Sequence, residues 1–210
     1  MNPLAVAVVA GAAAAVIGEA MRRRLQLLTY RRSEEKSLPD PGPRWWVPVA
    51  AATAVASLTA RFLDGRPEVL WMLLPLALAG TWLAAVDLDV RRLPDRVLLP
   101  LLAWEAAVTV GLLATGHRST GLDVMIGGAA SLLMLWSLHW FSNGGLGFGD
   151  VTLGAAVAAA TSAVSLTTLF WAFLASFTAA ALWGLITRRQ DLALGPWLVL
   201  GAVTTTVLLP

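Results

Sequence analysis

The chain has 210 residues, of which 58% are hydrophobic and only 13% charged, and its mean hydropathy is +0.72. A soluble domain carries about a quarter charged residues, so this composition excludes one and describes an integral membrane protein. There is no cysteine and there are two histidines, His117 and His139, which excludes disulfides, a cysteine nucleophile and Cys-ligated zinc and leaves no metal site to expect.

The apolar runs are continuous rather than alternating, which favours spanning helices over a barrel. At about 20 residues per span, the expected fold is an all-α polytopic bundle of about eight spans. The first covers residues 4–20. No basic residue precedes it and Arg22, Arg23 and Arg24 follow, the charge order of an anchor with its N-terminus outside rather than of a cleaved leader. Residues 21–44 carry Arg31, Arg32, Glu34, Glu35 and Lys36 and several prolines, and read as a solvated, headgroup-facing loop. Trp45 and Trp46 mark a membrane interface.

A second span is expected over 45–60, a turn at Asp64-Gly65, and a third span over 68–86. The acidic segment Asp87-Leu88-Asp89-Val90-Arg91-Arg92-Leu93-Pro94-Asp95 follows. Further spans are expected over 97–115, 121–141, 151–163 and 166–187, with a break near Ser162 to Ser165. The loop Arg188-Arg189-Gln190-Asp191 separates the seventh span from a last one beginning near Leu194-Gly195-Pro196-Trp197. Between the fifth and sixth lies Gly144-Gly145-Leu146-Gly147-Phe148-Gly149-Asp150. Glycines there would permit backbone that a Cβ forbids and the close approach of another chain.

With the N-terminus outside, twelve of the 15 Lys and Arg residues fall in inner loops and three, Arg61, Arg66 and Arg118, in outer ones. That bias places Asp87 and Asp150 on the cytoplasmic face. It also accounts for the basic pI of about 9.9 without nucleic acid as a partner. Asp87 ends one span and Asp150 begins another, 63 residues later, and an up-and-down helix pair between them returns the chain to the same face. Carboxylates at a membrane edge are costly and mark function. A close pair shares a proton, so one can act as base on a water while the other polarises a carbonyl.

Asp87-Leu88-Asp89 with Leu93-Pro94-Asp95, followed by Gly145-Leu146-Gly147-Phe148-Gly149-Asp150, resembles the bacterial type IV prepilin peptidases, membrane aspartic peptidases of the GxGD class. Leu194-Gly195-Pro196-Trp197 and Gly201-Ala202 are similar to a later segment of that family. The resemblance covers residues 70–205. It implies that Asp87 and Asp150 are the catalytic pair; Asp95 remains the rival for the first place, and Gly145, Gly147 and Gly149 are expected to form an extended, substrate-facing backbone that pairs with the unwound substrate. It implies hydrolysis by an activated water with no cofactor, and a prepilin or pseudopilin substrate with a short basic leader cut after a glycine. The bacterial inner membrane and its lipid are the expected setting, residues 1–210 forming one peptidase domain whose catalytic core is 67–210. Many members carry a zinc-binding segment between the first two spans that is associated with N-methylation. Here that loop has about 24 residues and no cysteine, so no methyltransferase activity is expected. Where the family often has lysine after the second aspartate, this chain has Val151-Thr152-Leu153.

Other polar residues have plainer readings. Asp89 is expected to pair with Arg91 or Arg92 in a loop, and Asp95 to start a helix. Glu105, well inside a span, is either a structural partner or part of a proton path. His139 reads as an interfacial residue, and Gly127-Gly128 as a site of close helix packing.

Overall fold

A computed structural model describes residues 2–142, 145–188 and 193–209. Gly144 and the loop residues Arg189, Gln190 and Asp191 lie outside the described residues. All eight expected segments are helices, and the described residues contain no strand. They are α1 (Pro3–Gln26), α2 (Trp46–Phe62), α3 (Leu70–Val90), α4 (Asp95–Ala114), α5 (Arg118–Phe141), α6 (Phe148–Ser162), α7 (Leu166–Thr187) and α8 (Gly195–Leu208). By length and composition, α1, α3 with its leading turn, α4, α5 and α7 can each cross a bilayer. α2 and α8 are apolar but shorter, with 17 and 14 residues.

The ends follow local chemistry. Asn2 caps α1, its side chain accepting the Leu4 N–H at 3.0 Å, and Pro3 occupies the first helical position, where its missing N–H costs nothing. Ser165 caps α7 by accepting the Thr168 N–H at 3.0 Å, which makes the break between the sixth and seventh segments a real helix boundary. Arg91 ends α3 in the left-handed region, φ 50°, and Pro94 caps α4 with extended backbone.

α3 and α6 form the centre. α3 packs against α1, α2, α4, α6 and α8, and α6 is enclosed by α3, α4, α5, α7 and α8. α6 is rich in Ala and Gly, and small side chains let neighbouring backbones approach. A Cβ at Gly154 would overlap the Leu135 side chain of α5, and one at Gly127 would overlap Ser162, so Gly127 does mark close packing. The C-terminal end of α6 is held by Arg66, which donates to the carbonyls of Ala163 and Val164 at 2.7 Å each and to Thr120 Oγ1 at 3.2 Å. These are the carbonyls that a helix C-terminus leaves unpaired.

The segment between α1 and α2 differs from expectation. Arg22 lies within α1, and Arg22, Arg31 and Arg44 are all buried. These three arginines are packed inward, whereas Arg23, Arg24, Arg32, Glu34 and residues 36–40 are exposed, as expected of a solvated loop. Arg31 donates to the carbonyls of Leu38 and Pro39 at 2.9 and 2.7 Å, and Arg44 to that of Leu25 at 3.2 Å. Arg92 binds Glu35 at 3.1 Å, and this hydrogen-bonded pairing holds the Glu35 carboxyl below its usual range.

α1 is carried by α2 through glycines. A Cβ on Gly18 would stand 2.6 Å from the Pro48 Cα, whereas one on Gly111 of α4 meets nothing within 4 Å. Gly18→Ala should therefore cost about 1–3 kcal/mol by overpacking. Gly111→Ala should be neutral or stabilising by up to about 1 kcal/mol. Thermal unfolding of the two variants in detergent checks the contrast.

Candidate active site

Asp87 lies in the last turn of α3, only 4% exposed. Its Oδ2 accepts the Gly195 N–H at 2.9 Å. Gly195 is the first residue of α8 and precedes Pro196, so the carboxylate sits at a helix N-terminus, where unpaired N–H groups favour negative charge. A Cβ at Gly195 would lie 2.9 Å from that same oxygen and 3.3 Å from Leu93 Cδ2. Glycine at this position thus leaves room for the carboxylate while its N–H binds it.

Asp150 is the third residue of α6. Its N–H donates to the Gly147 carbonyl at 3.0 Å, which sets the first turn and keeps the side chain near the helix's positive end. Asp150 Oδ1 is buried and accepts no hydrogen bond among the described residues. Leu93 packs against both Gly149, the neighbour of Asp150, and Gly195, whose N–H binds Asp87. The two acids singled out in the sequence therefore share one site, built from α3, α6 and the N-terminus of α8.

Leu93 ties these parts together. It is 6% exposed and wedged between two glycines. A Cβ at Gly149 would lie 2.9 Å from its Cβ, and one at Gly195 would crowd its Cδ2. Gly149 is needed for this close approach, not for unusual dihedrals. Gly145, Gly147 and Gly149 are absent from the positive-φ glycines, which among the described residues are Gly42 and Gly116. Gly147 caps α6 in extended conformation (φ −65°, ψ 144°), and a Cβ there would lie 3.0 Å from Asp150 Oδ2. Gly145 is in an exposed bend, its N–H donating to the Ser142 carbonyl at 3.1 Å. Because α6 begins at Phe148, the stretch is not extended through Gly149.

Asp95 is exposed as the first residue of α4, the helix-start role expected of it. Asp89 corrects the sequence reading: it is inside α3, and its partners are not Arg91 and Arg92. Its side chain is 5% exposed and binds Arg31 through Nε and a terminal nitrogen at 2.9 and 2.6 Å, with Arg44 at 3.3 Å. The Tyr30 hydroxyl also donates to it, and Arg44 donates to that hydroxyl at 2.6 Å. Burial, followed by the bond to Asp89, raises the Tyr30 phenol above its ordinary value. Glu105 is 2% exposed on α4, and neither carboxyl oxygen has a hydrogen-bond partner among the described residues.

Three contributors escaped sequence reasoning. The Gly195 N–H and the Leu93 wedge lay inside the quoted motifs, where attention fell on the acids. His139, read as interfacial, places its Nδ1 2.6 Å from the Leu146 carbonyl and stacks edge-on to Phe148, centroids 6.1 Å apart. It thus ties the end of α5 to the glycine stretch. The nearness of His139 to that stretch in sequence was the available signal.

The Asp89 cluster generates a test. Removing one partner of a buried ion group costs about 3–5 kcal/mol because the others are left uncompensated. Asp89→Ala should lower stability by that order and expose the segment 31–44 to limited proteolysis. Glu34→Ala, at an exposed position, should do neither.

Residues 72–185, more than half of the chain, match the model of the type IV leader peptidase family. Curated relatives include proteins named prepilin leader peptidase/N-methyltransferase from three bacteria. That of Pectobacterium carotovorum subsp. carotovorum is 34% identical over 74% of this chain and 57% of its own length. That of Dickeya chrysanthemi is 35% identical over 60% and 46%, and that of Aeromonas hydrophila 42% identical over 40% and 30%. The chain thus spans between about a third and just over half of the length of these relatives. No solved structure matches it significantly. On the match over residues 72–185, which contain both Asp87 and Asp150, the chain belongs to the type IV leader peptidase family.

Proposed function

We propose that the chain is a membrane aspartic endopeptidase that removes the short basic leader of type IV prepilins or pilin-like proteins. The observation that supports this reading is the packing of Leu93 between Gly149 and Gly195, which joins the turn of α6 that carries Asp150 to the helix start that binds Asp87. In the proposed reaction one carboxylate takes a proton from water as the water oxygen attacks the scissile carbonyl. The other, protonated, hydrogen-bonds the carbonyl oxygen as charge develops there. Collapse of the tetrahedral intermediate breaks the C–N bond, and the proton taken from water passes to the leaving amine. Asp87 is held for this by Gly195, whereas Asp150 Oδ1 has no partner among the described residues, which suits Asp150 as the group that meets the water. Gly147 and the bend before it provide the substrate-facing edge, and Asp95 flanks the site without joining the pair.

The proposed setting is the bacterial inner membrane, with eight spans, the N-terminus outside and the pair at the cytoplasmic face. The support is the excess of Lys and Arg in the loops that this topology places inside. The packed, cysteine-free loop between α1 and α2 supports a peptidase that does not methylate its product. Residues 67–210 are proposed as the catalytic core of a single domain.

The test is cleavage of a co-expressed prepilin, read as leader loss on a gel. Asp87→Asn and Asp150→Asn should each lower the rate by about 10²–10⁴-fold, the usual span for an acid–base group, while Asp95→Asn stays near wild type. A dead Asp95→Asn with an active Asp87→Asn would reassign the first aspartate. An intact prepilin with wild-type protein would remove the reading. Mass spectrometry of the product should find an unmethylated N-terminal amine.

A further inference from the structure

His139 lies half-buried in the last turn of α5. Its Nδ1 is 2.6 Å from the carbonyl oxygen of Leu146. A carbonyl oxygen can only accept, so Nδ1 carries the hydrogen and the imidazole donates. The other polar group of Leu146 is held as well. Its N–H donates to Ser142 Oγ at 3.2 Å, and that hydroxyl donates in turn to the His139 carbonyl at 3.1 Å. Leu146 is thus bound at both its N–H and its carbonyl by the end of α5, while its side chain packs on the main core.

The Leu146 carbonyl belongs to the peptide unit that leads into Gly147. A peptide is planar, so a hydrogen bond at its oxygen sets the plane from which Gly147 enters α6. Gly147 is the N-cap of α6, and its own carbonyl accepts the N–H groups of Asp150 at 3.0 Å and Val151 at 3.2 Å. Asp150 folds its carboxylate back over Gly147, with Oδ2 3.0 Å from where a Cβ would be. Only one peptide plane and the dihedrals of one residue therefore separate the imidazole bond from the turn that carries Asp150.

That residue is a glycine, which has no side chain to narrow its dihedrals. Its restraint has to come from its neighbours. On the α3 side Leu93 meets Gly149, one residue short of Asp150. On the α5 side the restraint is the His139 bond. The imidazole spends its Nδ1–H on backbone rather than on a reacting acid, which makes it a positioning group and not a catalytic one. Its ring contact is with Phe148, edge-on at 6.1 Å between centroids, and Phe148 is 58% exposed. The donor, more than the ring, is what the stretch depends on.

We infer that His139 is a positioning residue for the reaction: its Nδ1–H fixes the Leu146–Gly147 peptide and, through it, the side chain of Asp150. This rests on the peptidase reading above.

Two substitutions separate donor from ring. His139→Asn keeps an N–H at the δ position and loses the ring, whereas His139→Phe keeps a ring and loses the donor. Each is made in the full chain, purified in detergent, and prepilin cleavage is followed over a range of prepilin concentrations. Rates are taken well below the unfolding temperature of each variant. His139→Phe should lower kcat by about 10–100-fold, the loss that a displacement of about an ångström produces. KM should stay within about twofold, the pattern of an interaction that matters only in the transition state. His139→Asn should recover kcat to within about threefold of wild type.

Wild-type kcat in His139→Phe overturns the inference. Impaired His139→Asn beside active His139→Phe, or equal loss in both, overturns it in favour of a packing role for the ring. A raised KM with unchanged kcat overturns it in favour of substrate binding. Each of these outcomes leaves the peptidase reading standing, because that reading depends on Asp87→Asn and Asp150→Asn. Wild-type protein that leaves prepilin intact removes the peptidase reading and this inference with it.

Discussion

A carboxylate buried at the edge of an apolar bundle has to be bound by something, and the N–H of Gly195 binds Asp87. Several features follow from that bond. It requires a helix N-terminus at the site, so α8 begins there with Gly-Pro, the proline needing no acceptor. It requires a residue without Cβ, because the carboxylate oxygen lies 2.9 Å from where one would be. It also brings Leu93 against Gly195, and Leu93 brings Gly149 and the start of α6. The approach of Asp150 to Asp87 is thus the end of a chain of short contacts, each permitted by a glycine.

The Asp89 cluster serves the same end of α3 from the other side. Arg31, Arg44 and Tyr30 converge on one carboxylate two residues beyond Asp87. They fold the α1–α2 segment over the helix terminus, where otherwise the last carbonyls and Asp89 would face lipid headgroups. Two acids on one helical turn have opposite fates: Asp89 is satisfied by cations, whereas Asp87 is bound by a backbone N–H.

The helices were readable because long apolar runs broken by glycine, proline and charge have few other solutions in a membrane chain. The acids of the site were readable because a charge at a span end is costly enough to stand out. What was not readable is pairing across distance. The Arg31–Asp89 contact joins residues 58 apart, and no local pattern distinguishes it from the Arg91 or Arg92 pairing that sequence proximity suggests. Arg22, Arg31 and Arg44 looked as solvated as the exposed Arg23, Arg24 and Arg32 because composition reports charge and not its neutralisation. The glycines before Asp150 looked conformational, but the requirement at Gly149 is imposed by Leu93 and so becomes visible only when α3 and α6 are placed together. Glu105 was visible as an anomaly and is still one: a buried acid whose oxygens find no partner among the described residues.

Arg66 grips the far end of α6 through the carbonyls of Ala163 and Val164, while Leu93 meets Gly149 at the near end. With both ends fixed and 15 residues between them, α6 behaves as a strut of set length and phase. One inserted residue would rotate Asp150 by about 100° and displace it by about 1.5 Å relative to the gripped end. Register in this helix, more than composition, is therefore what Arg66 fixes for an aspartate at the opposite end of α6.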